Sequence, residues 1–487
     1  MRHKYIKFDE FSQFALIALV LTQLFYNNGF YLFICMATLV VLFYLLQQVH
    51  KPSVFSLMLI QHILQVVAGV WLCNYLGNDI NYRSPEYATA TVLSVIGIIV
   101  LFIPIIYNQN KLPDVSMDDL RRYADQFSTK KVMYCYIIGF FGCAFLQSVA
   151  FIFSGLSQVI FSLTDVKWLF FMLFGFLSIL KNENRKYFYA AVAVEFITGF
   201  LSFFSDFKAV IFFVILILLT LVENINFRQV FITALLGVAL VFLALFWTNI
   251  KVQYRAYLNG GKQTQTVSVS QNDAVDKLYD LSNNVDENGL TSSAKELLDR
   301  VQYTYHFAKT IERVPAVIPF QNGQNWLDNL EFTTTPRYLN PNKPTIDNSV
   351  KATKYTGIHY LGESAGVSFS LGYFAECYID FGKVGMMGLI FIIGVLYGTV
   401  YFYIMRNSST NLLFNYCVAV SFFSEFYAFE QDGTYLLGRL FSNMLTFGLL
   451  IKFVFPSIIN YISNKEDKDD RLLEDSSNKI AAAGITL

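Results

Sequence analysis

Apolar positions along this chain gather in runs close to 20 residues long, separated by short polar turns. A run of that length crosses the hydrocarbon core of a bilayer as an α-helix. Nine such runs are read at about 11–27, 30–48, 54–77, 89–107, 132–153, 166–181, 187–204, 209–223 and 229–249. Three more follow at about 384–405, 411–429 and 435–456. Between the two groups lies one long polar stretch, from Lys251 to about Ser364. The runs do not alternate apolar and polar positions, as the strands of a membrane barrel would. The pattern predicts an all-α integral membrane protein with about twelve transmembrane helices and one large, late extracytoplasmic loop.

Lysines and arginines orient the helices, because they concentrate in cytoplasmic loops. With the N-terminus inside, Lys51, the 108–131 loop, the Lys181–Lys186 cluster and Arg228 all fall inside. The opposite turns, Asn27–Gly29, Asp79–Glu86, Ser154–Asp165 and Ser205–Lys208, are poor in basic residues. The long loop then falls outside. The stretch from Ala365 to Gly382 is apolar but carries Glu376 and Asp380. If it crossed the membrane, Arg406 and the basic tail would lie outside. If it lies at the interface or re-enters, they lie inside, which fits the charge rule. Irregular backbone at membrane depth is tolerated only against protein or a water-filled cavity, so this segment is expected to be a cavity wall. Five parts result: helices 1–9 over 1–249, the loop over 250–365, the interfacial or re-entrant segment over 366–382, helices 10–12 over 383–458, and a cytoplasmic tail over 459–487.

The loop has structure of its own. Ser293 followed by Glu296 is a capping-box spacing, and Leu297, Leu298, Val301, Tyr305 and Ala308 recur at helical intervals. A helix is expected over about 293–313, ending before Pro315, with an earlier one near 273–283. Pro315, Pro319, Pro336, Pro341 and Pro344 make 314–350 a series of turns and extended pieces.

Composition narrows the classes. The chain is 55% hydrophobic and 15% charged, with mean hydropathy +0.44, whereas soluble domains are about 25% charged. Net charge is zero, so nothing argues for nucleic acid. Six scattered cysteines, five of them inside apolar runs, form neither a disulfide framework nor a metal pattern. There is no phosphate-binding glycine loop, HExxH, CxxC pair or DxD on the outer side.

What remains is a gathering of ionisable groups at one face. Asp206 and Lys208 end a middle span; the loop supplies Arg255, Arg300, Arg313, Arg337, Lys343, His306, His359 and Glu363; later come Glu376, Asp380, Glu425, Glu430, Asp432 and Arg439. A charge at membrane depth costs about 2.5–3.5 kcal/mol on insertion scales, which singles out Arg439 and Glu376. The bland alternative is that these two pair with each other. Glu195 and His62, alone at mid-span, fit interhelical hydrogen bonds better than a proton relay. A transporter would place several such groups at the midplane.

Three stretches then resemble a known family, the Wzy-type polysaccharide polymerases. Thr335-Pro336-Arg337-Tyr338-Leu339-Asn340-Pro341-Asn342-Lys343-Pro344 is similar to their PR-x-L-x-P-x-K-P stretch. Phe374-Ala375-Glu376-Cys377-Tyr378-Ile379-Asp380-Phe381-Gly382 is similar to their E-x-Y-x-x-F-G segment. Ser202-Phe203-Phe204-Ser205-Asp206-Phe207-Lys208 sits where they carry a basic residue. The resemblance implies a GT-C-like fold and an enzyme that joins oligosaccharide repeat units carried on undecaprenyl diphosphate. It acts at the outer face of the bacterial plasma membrane, in a pathway shared with a flippase and a chain-length regulator. No nucleotide sugar and no obligatory metal or cofactor is expected. Relatives of the O-antigen ligase type share the donor and differ in acceptor. Cations must meet the leaving diphosphate: Arg337, Lys208, Arg439, Lys343 and Arg300 are the candidates. A carboxylate or imidazole would take the acceptor's proton: Glu376 first, then Glu363 and His359. Glu376 would alternatively orient Arg337 or Arg439. Asp380, Asp432 and Trp326 are the expected substrate contacts.

Overall fold

The computed structural model describes residues 4–52, 54–152, 157–201, 207–260, 268–283, 287–335, 340, 343, 347–362, 368–426 and 430–464. Arg337, Glu363, Asp206, Pro336, Pro341 and Pro344, all singled out in the sequence, lie outside the described residues, and the described part of 314–350, expected as turns and extended pieces, contains a helix over Gln324–Thr334. The described chain is helical apart from one short parallel pair, β1 (Lys7–Phe8) with β2 (Asn224–Ile225), and isolated bridges.

Before the loop run α1 (Glu10–Thr22), α2 (Gly29–Leu46), α3 (Val54–Tyr75), α4 (Tyr87–Gln109), α5 (Met117–Asp125), α6 (Thr129–Ile152), α7 (Ser157–Thr164), α8 (Val166–Leu180), α9 (Arg185–Leu201), α10 (Phe207–Leu221) and α11 (Phe227–Leu258). The loop folds into α12 (Gln271–Asn283), α13 (Glu287–Val301), α14 (Thr304–Arg313), α15 (Gln324–Thr334) and α16 (Asn348–Thr356). Then come α17 (Tyr373–Asn407), α18 (Leu412–Phe423), α19 (Gly433–Leu449) and α20 (Phe455–Ile462), the last two joined by a π-helical turn, Leu450–Val454. Local chemistry sets several starts. Asp9 caps α1, and reciprocal capping boxes open α5 (Ser116 with Asp119) and α11 (Asn226 with Gln229).

Among the described residues, eight helical stretches are long and apolar enough to cross a membrane, and Glu10–Phe25, Lys208–Leu221 and Leu412–Phe423 are shorter apolar helices. Along α11, Leu235, Leu236, Val238, Val241 and Phe242 point outward, exposed. An apolar face of that kind is compatible with a membrane protein. Each of the nine apolar runs before the loop contains a helix.

The core is built where α4 and α17 lie side by side. Gly394 and Gly398 of α17 allow this approach: an added Cβ would stand 2.3 Å from the Leu101 carbonyl oxygen and 2.8 Å from that of Pro104. Small residues four apart serve close helix contact in this way. His62 of α3 bonds Met58 O within its own helix and Tyr373 Oη across to α17, at 2.9 Å each.

Two further expectations change. The turn read at Ser154–Asp165 is helical from Ser157 onward, so Asp165 sits between α7 and α8 inside a continuous apolar stretch. The helix read over 293–313 is two helices, and Ser293 is no cap. It is buried within α13 and accepts from Asn249 Nδ2 at 3.3 Å. The break falls at Gln302, whose side chain accepts from Tyr305 N and Tyr87 Oη, while Tyr303 N bonds Gln65 O. The segment carrying Glu376 and Asp380 is a buried helix that runs into the next long one through a break at Gly382. The freed carbonyls of Ile379 and Asp380 accept from Gln321 N and Asn322 N, at 3.0 Å each.

Gly382 has φ 65° and ψ −167°, a conformation essentially confined to glycine. A Cβ there would also meet the Phe320 ring at 3.0 Å. Gly382→Ala is expected to lower stability by about 1–3 kcal/mol, read as a lower unfolding midpoint in detergent. An unchanged midpoint would mean that the break is not strained.

Candidate functional site

Glu376 lies in the first turn of α17 and is fully buried. A carboxylate taken out of water needs donors, and three separate elements supply them. Lys351 of α16 donates to Oε1 at 2.6 Å. Asn329 of α15 and the backbone N–H of Gly433, at the start of α19, donate to Oε2 at 2.8 and 2.9 Å. Thr434 Oγ1 and Lys351 Nζ in turn donate to Asn329 Oδ1, at 2.8 and 3.3 Å. Gly433 leaves room for this: a Cβ would stand 2.5 Å from Asn329 Nδ2 and 2.7 Å from Glu376 Oε2.

The neighbouring acids serve helix starts. Asp380 accepts the N–H groups of Asn325 and Trp326, the first turn of α15, at 3.2 and 2.9 Å. Asp432 caps α19 through Tyr435 N (2.7 Å) and holds Asn348 Nδ2 (2.6 Å). Burial, with the Glu376 carboxylate close by, pushes the Asp432 carboxyl from its ordinary 3.8 up to about 6. Half-buried Trp326 packs its ring edge near Gly433. Lys343, expected at a phosphate, instead donates to the carbonyls of Phe332 and Thr335 and closes the end of α15.

Arg439 is not the partner of Glu376. It lies within α19, 11% exposed, and donates to Asp165 at 3.1 Å, with Glu425 at 3.8 Å. These three line a cavity of about 340 Å³ together with Lys167, Tyr435 and Trp168. Lys167 pairs at 3.0 Å with Glu195, which also accepts from Tyr136 Oη at 3.0 Å. Glu195 therefore makes interhelical bonds, as a lone mid-span acid is expected to. Tyr435 Oη reaches Glu425 at 3.2 Å.

Lys208 is exposed at the start of α10, next to Ala209, which lines the same cavity. The charges of Lys208 and of exposed Arg300 on α13 both act on Glu430. Burial raises the Glu430 carboxyl above its ordinary range, while those two cations and the Gln65 amide pull it down. Arg300 also acts on Lys251 and Arg255 of α11. Of these four cations, Lys208 alone adjoins a wall residue of the cavity in sequence. Lys208 and Arg300 were legible as isolated charges. His359 is exposed on the segment after α16.

Sequence reasoning missed Lys351 and Lys167. Lys351 is one of two lysines on a short polar helix, and nothing local marks it. Lys167 sits two residues from Asp165 at the mouth of an apolar run, which was a usable signal. Among the described residues, no group of three His, Cys, Asp or Glu is placed to hold a metal ion.

A family model described as "Domain of unknown function (DUF8712)" matches residues 85–459. No curated protein and no solved structure matches the chain.

Removing Lys351 strands a buried carboxylate, which typically costs about 3–5 kcal/mol. Lys351→Met should therefore lower the unfolding midpoint strongly, and Lys351→Met with Glu376→Gln should recover most of the loss. A double variant as unstable as the single one would argue against the pairing. For Asp432 the folded pKa lies above the unfolded one, so the folded state binds the proton more tightly. Its contribution to stability falls as pH rises from about 4 to about 6 and is flat above. Asp432→Asn should flatten the unfolding midpoint over that window relative to the parent; parallel pH profiles would refute it.

Proposed function

Starting from a chain that belongs to the DUF8712 family, we propose a membrane-embedded polymerase that joins undecaprenyl-diphosphate-linked oligosaccharide repeat units. Twelve spans, a GT-C-like arrangement, and action at the outer face of the bacterial plasma membrane with both termini inside belong to this reading. The observation that carries it is a cavity lined by Arg439 and Lys167, with Lys208 one residue from its wall. Arg439 lines that cavity, Lys208 stands beside its wall, and Arg300 shares Glu430 with Lys208. These come from three distant parts of the chain, and each was expected at a diphosphate on chemical grounds. The resemblance of the 335–344 and 374–382 stretches to Wzy-type polymerases gives the reaction class.

In this reaction the acceptor sugar hydroxyl attacks the anomeric carbon of the donor chain. The bond from that carbon to the diphosphate oxygen breaks, and undecaprenyl diphosphate leaves with the electron pair. Arg439 and Lys208, with Arg300 behind them, stabilise the growing negative charge; arginine suits this through its paired donors. The acceptor's proton goes to a carboxylate. Glu376 is enclosed and its oxygens are both occupied, so in this reading it positions α15, α16 and α19. Glu425, partly exposed at the cavity beside Arg439, is the better placed base, and Glu363 and His359 stand behind it. Arg337 is retained as a diphosphate ligand on the resemblance alone. Asp380, Asp432 and Trp326 shape the ground on which substrate rests.

The test is polymerisation by purified protein in nanodiscs, supplied with undecaprenyl-diphosphate-linked repeat units. A ladder of longer lipid-linked glycans is expected. Arg439→Gln should slow its growth by about 100- to 1000-fold, the usual cost of one preorganised donor, with smaller losses for Lys208→Ala and Arg300→Ala. Lipid-linked sugar moving across proteoliposomes without a ladder would replace the polymerase by a flippase. A single transfer to a different acceptor would replace it by a ligase.

A further inference from the structure

A second cavity, of about 500 Å³, lies at the opposite end of α8 from the first. The Asp165 end of that helix belongs to the first cavity and the Lys181 end to this one. It is lined only by polar and charged residues: Ser128, Thr129, Lys130, Lys181, Glu183, Asn184 and Asn464. Its one acid is engaged. Glu183 accepts from Thr129 Oγ1 at 2.8 Å and stands 3.7 Å from Lys181 Nζ, beyond a good hydrogen bond. Lys181 donates to the Phe127 carbonyl at 3.0 Å. Lys130 is exposed and has no carboxylate within ion-pair distance among the described residues. Two ammonium groups, two carboxamides and two hydroxyls line this space beside the one acid; Asn464 Nδ2 also donates to Asp125 O at 2.6 Å.

The rim is fixed rather than loose. The end of α20 is clamped there: Ser128 N donates to Ile462 O at 2.8 Å, Asn464 N to Gln126 O at 3.0 Å, and Lys131 Nζ to Ser463 O at 2.9 Å. Around it stand exposed tyrosines on three helices: Tyr134 of α6, Tyr187 and Tyr189 of α9, and Tyr461 of α20. Lys131 and Lys186 lie over the rings of Tyr461 and Tyr187, at 5.6 and 5.1 Å. Exposed tyrosines paired with lysines at the ends of apolar helices mark the headgroup level of a bilayer. A polar, basic pocket between helices at that level suits the phosphate of an anionic lipid.

We infer that this cavity is a binding site for a phosphate-ester anion, held by Lys130 and Lys181 with Asn184 and Asn464 as further donors. This does not depend on the polymerase reading, since it concerns the other end of the bundle. The ligand chemistry is common to a membrane lipid headgroup and to free phosphate, so the test has two arms. In the first, delipidated protein is offered phosphatidylglycerol or phosphatidylcholine, and retained lipids are counted by native mass spectrometry. In the second, inorganic phosphate is titrated calorimetrically. One phosphatidylglycerol held in preference to phosphatidylcholine is expected. Lys130→Ala should weaken it about fivefold, the usual worth of one basic residue at a membrane surface, and Lys181→Met by at least as much. Lys130 is exposed, so an unchanged unfolding midpoint separates lost binding from lost folding. Phosphate binding without lipid preference, lost in the same variants, would keep the site and name the soluble anion as its ligand. No binding in either arm, or binding indifferent to both variants, overturns the inference.

Discussion

The arrangement hangs on one buried carboxylate. Glu376 has no exposure to solvent, and an ionised acid in that position is stable only while its donors are in place. Those donors come from residues 329, 351 and 433, so α15, α16 and α19 must all close on α17 at once. One lysine serves a neighbourhood of three acids because the other two are neutralised differently. Asp380 and Asp432 each face the first turn of a helix, where free N–H groups and the helix dipole favour negative charge. These polar bonds add to apolar packing, for Phe307, Ile311, Val314, Ala352 and Tyr355 of the loop are buried in the same core as α4 and α17.

What could be read from sequence follows from how local each signal was. The apolar runs carried their helices because membrane-length hydrophobicity is a property of consecutive residues. A helix near 273–283 and the stop before Pro315 were legible for the same reason. Pairings were not. Glu376 and Arg439 are the two most costly charges at depth, and pairing them with each other was reasonable. Each instead found a partner on an element whose position the sequence does not reveal, Lys351 on α16 and Asp165 after α7. Ser293 and Glu296 matched a capping box in spacing. The helix nevertheless begins at Glu287, and Ser293 lies inside it, accepting from Asn249 of α11. Ser154–Asp165 reads as an outer turn poor in lysine and arginine, and the cavity that Asp165 and Gln158 line leaves no mark in the sequence.

Helix α19 joins the fastening to the cavity. Asp432 at its cap and Arg439 are seven residues apart, two turns and roughly 10 Å along the axis. Pinning the cap through Asp432, Gly433 and Thr434 therefore sets both the height and the rotation at which Arg439 meets the cavity. Fixing a charged donor before substrate arrives avoids reorganisation during reaction. Two carboxylates attend that arginine, and they differ. Asp165 is hydrogen-bonded at 3.1 Å and nearly buried, whereas Glu425 stands at 3.8 Å and is about a third exposed. An anionic ligand entering the cavity would exchange with the looser, wetter one. On the proposed reading, Asp165 keeps Arg439 aimed, and Glu425 yields its place to a phosphate oxygen and turns to the acceptor. The same displacement that admits the donor would then free the base.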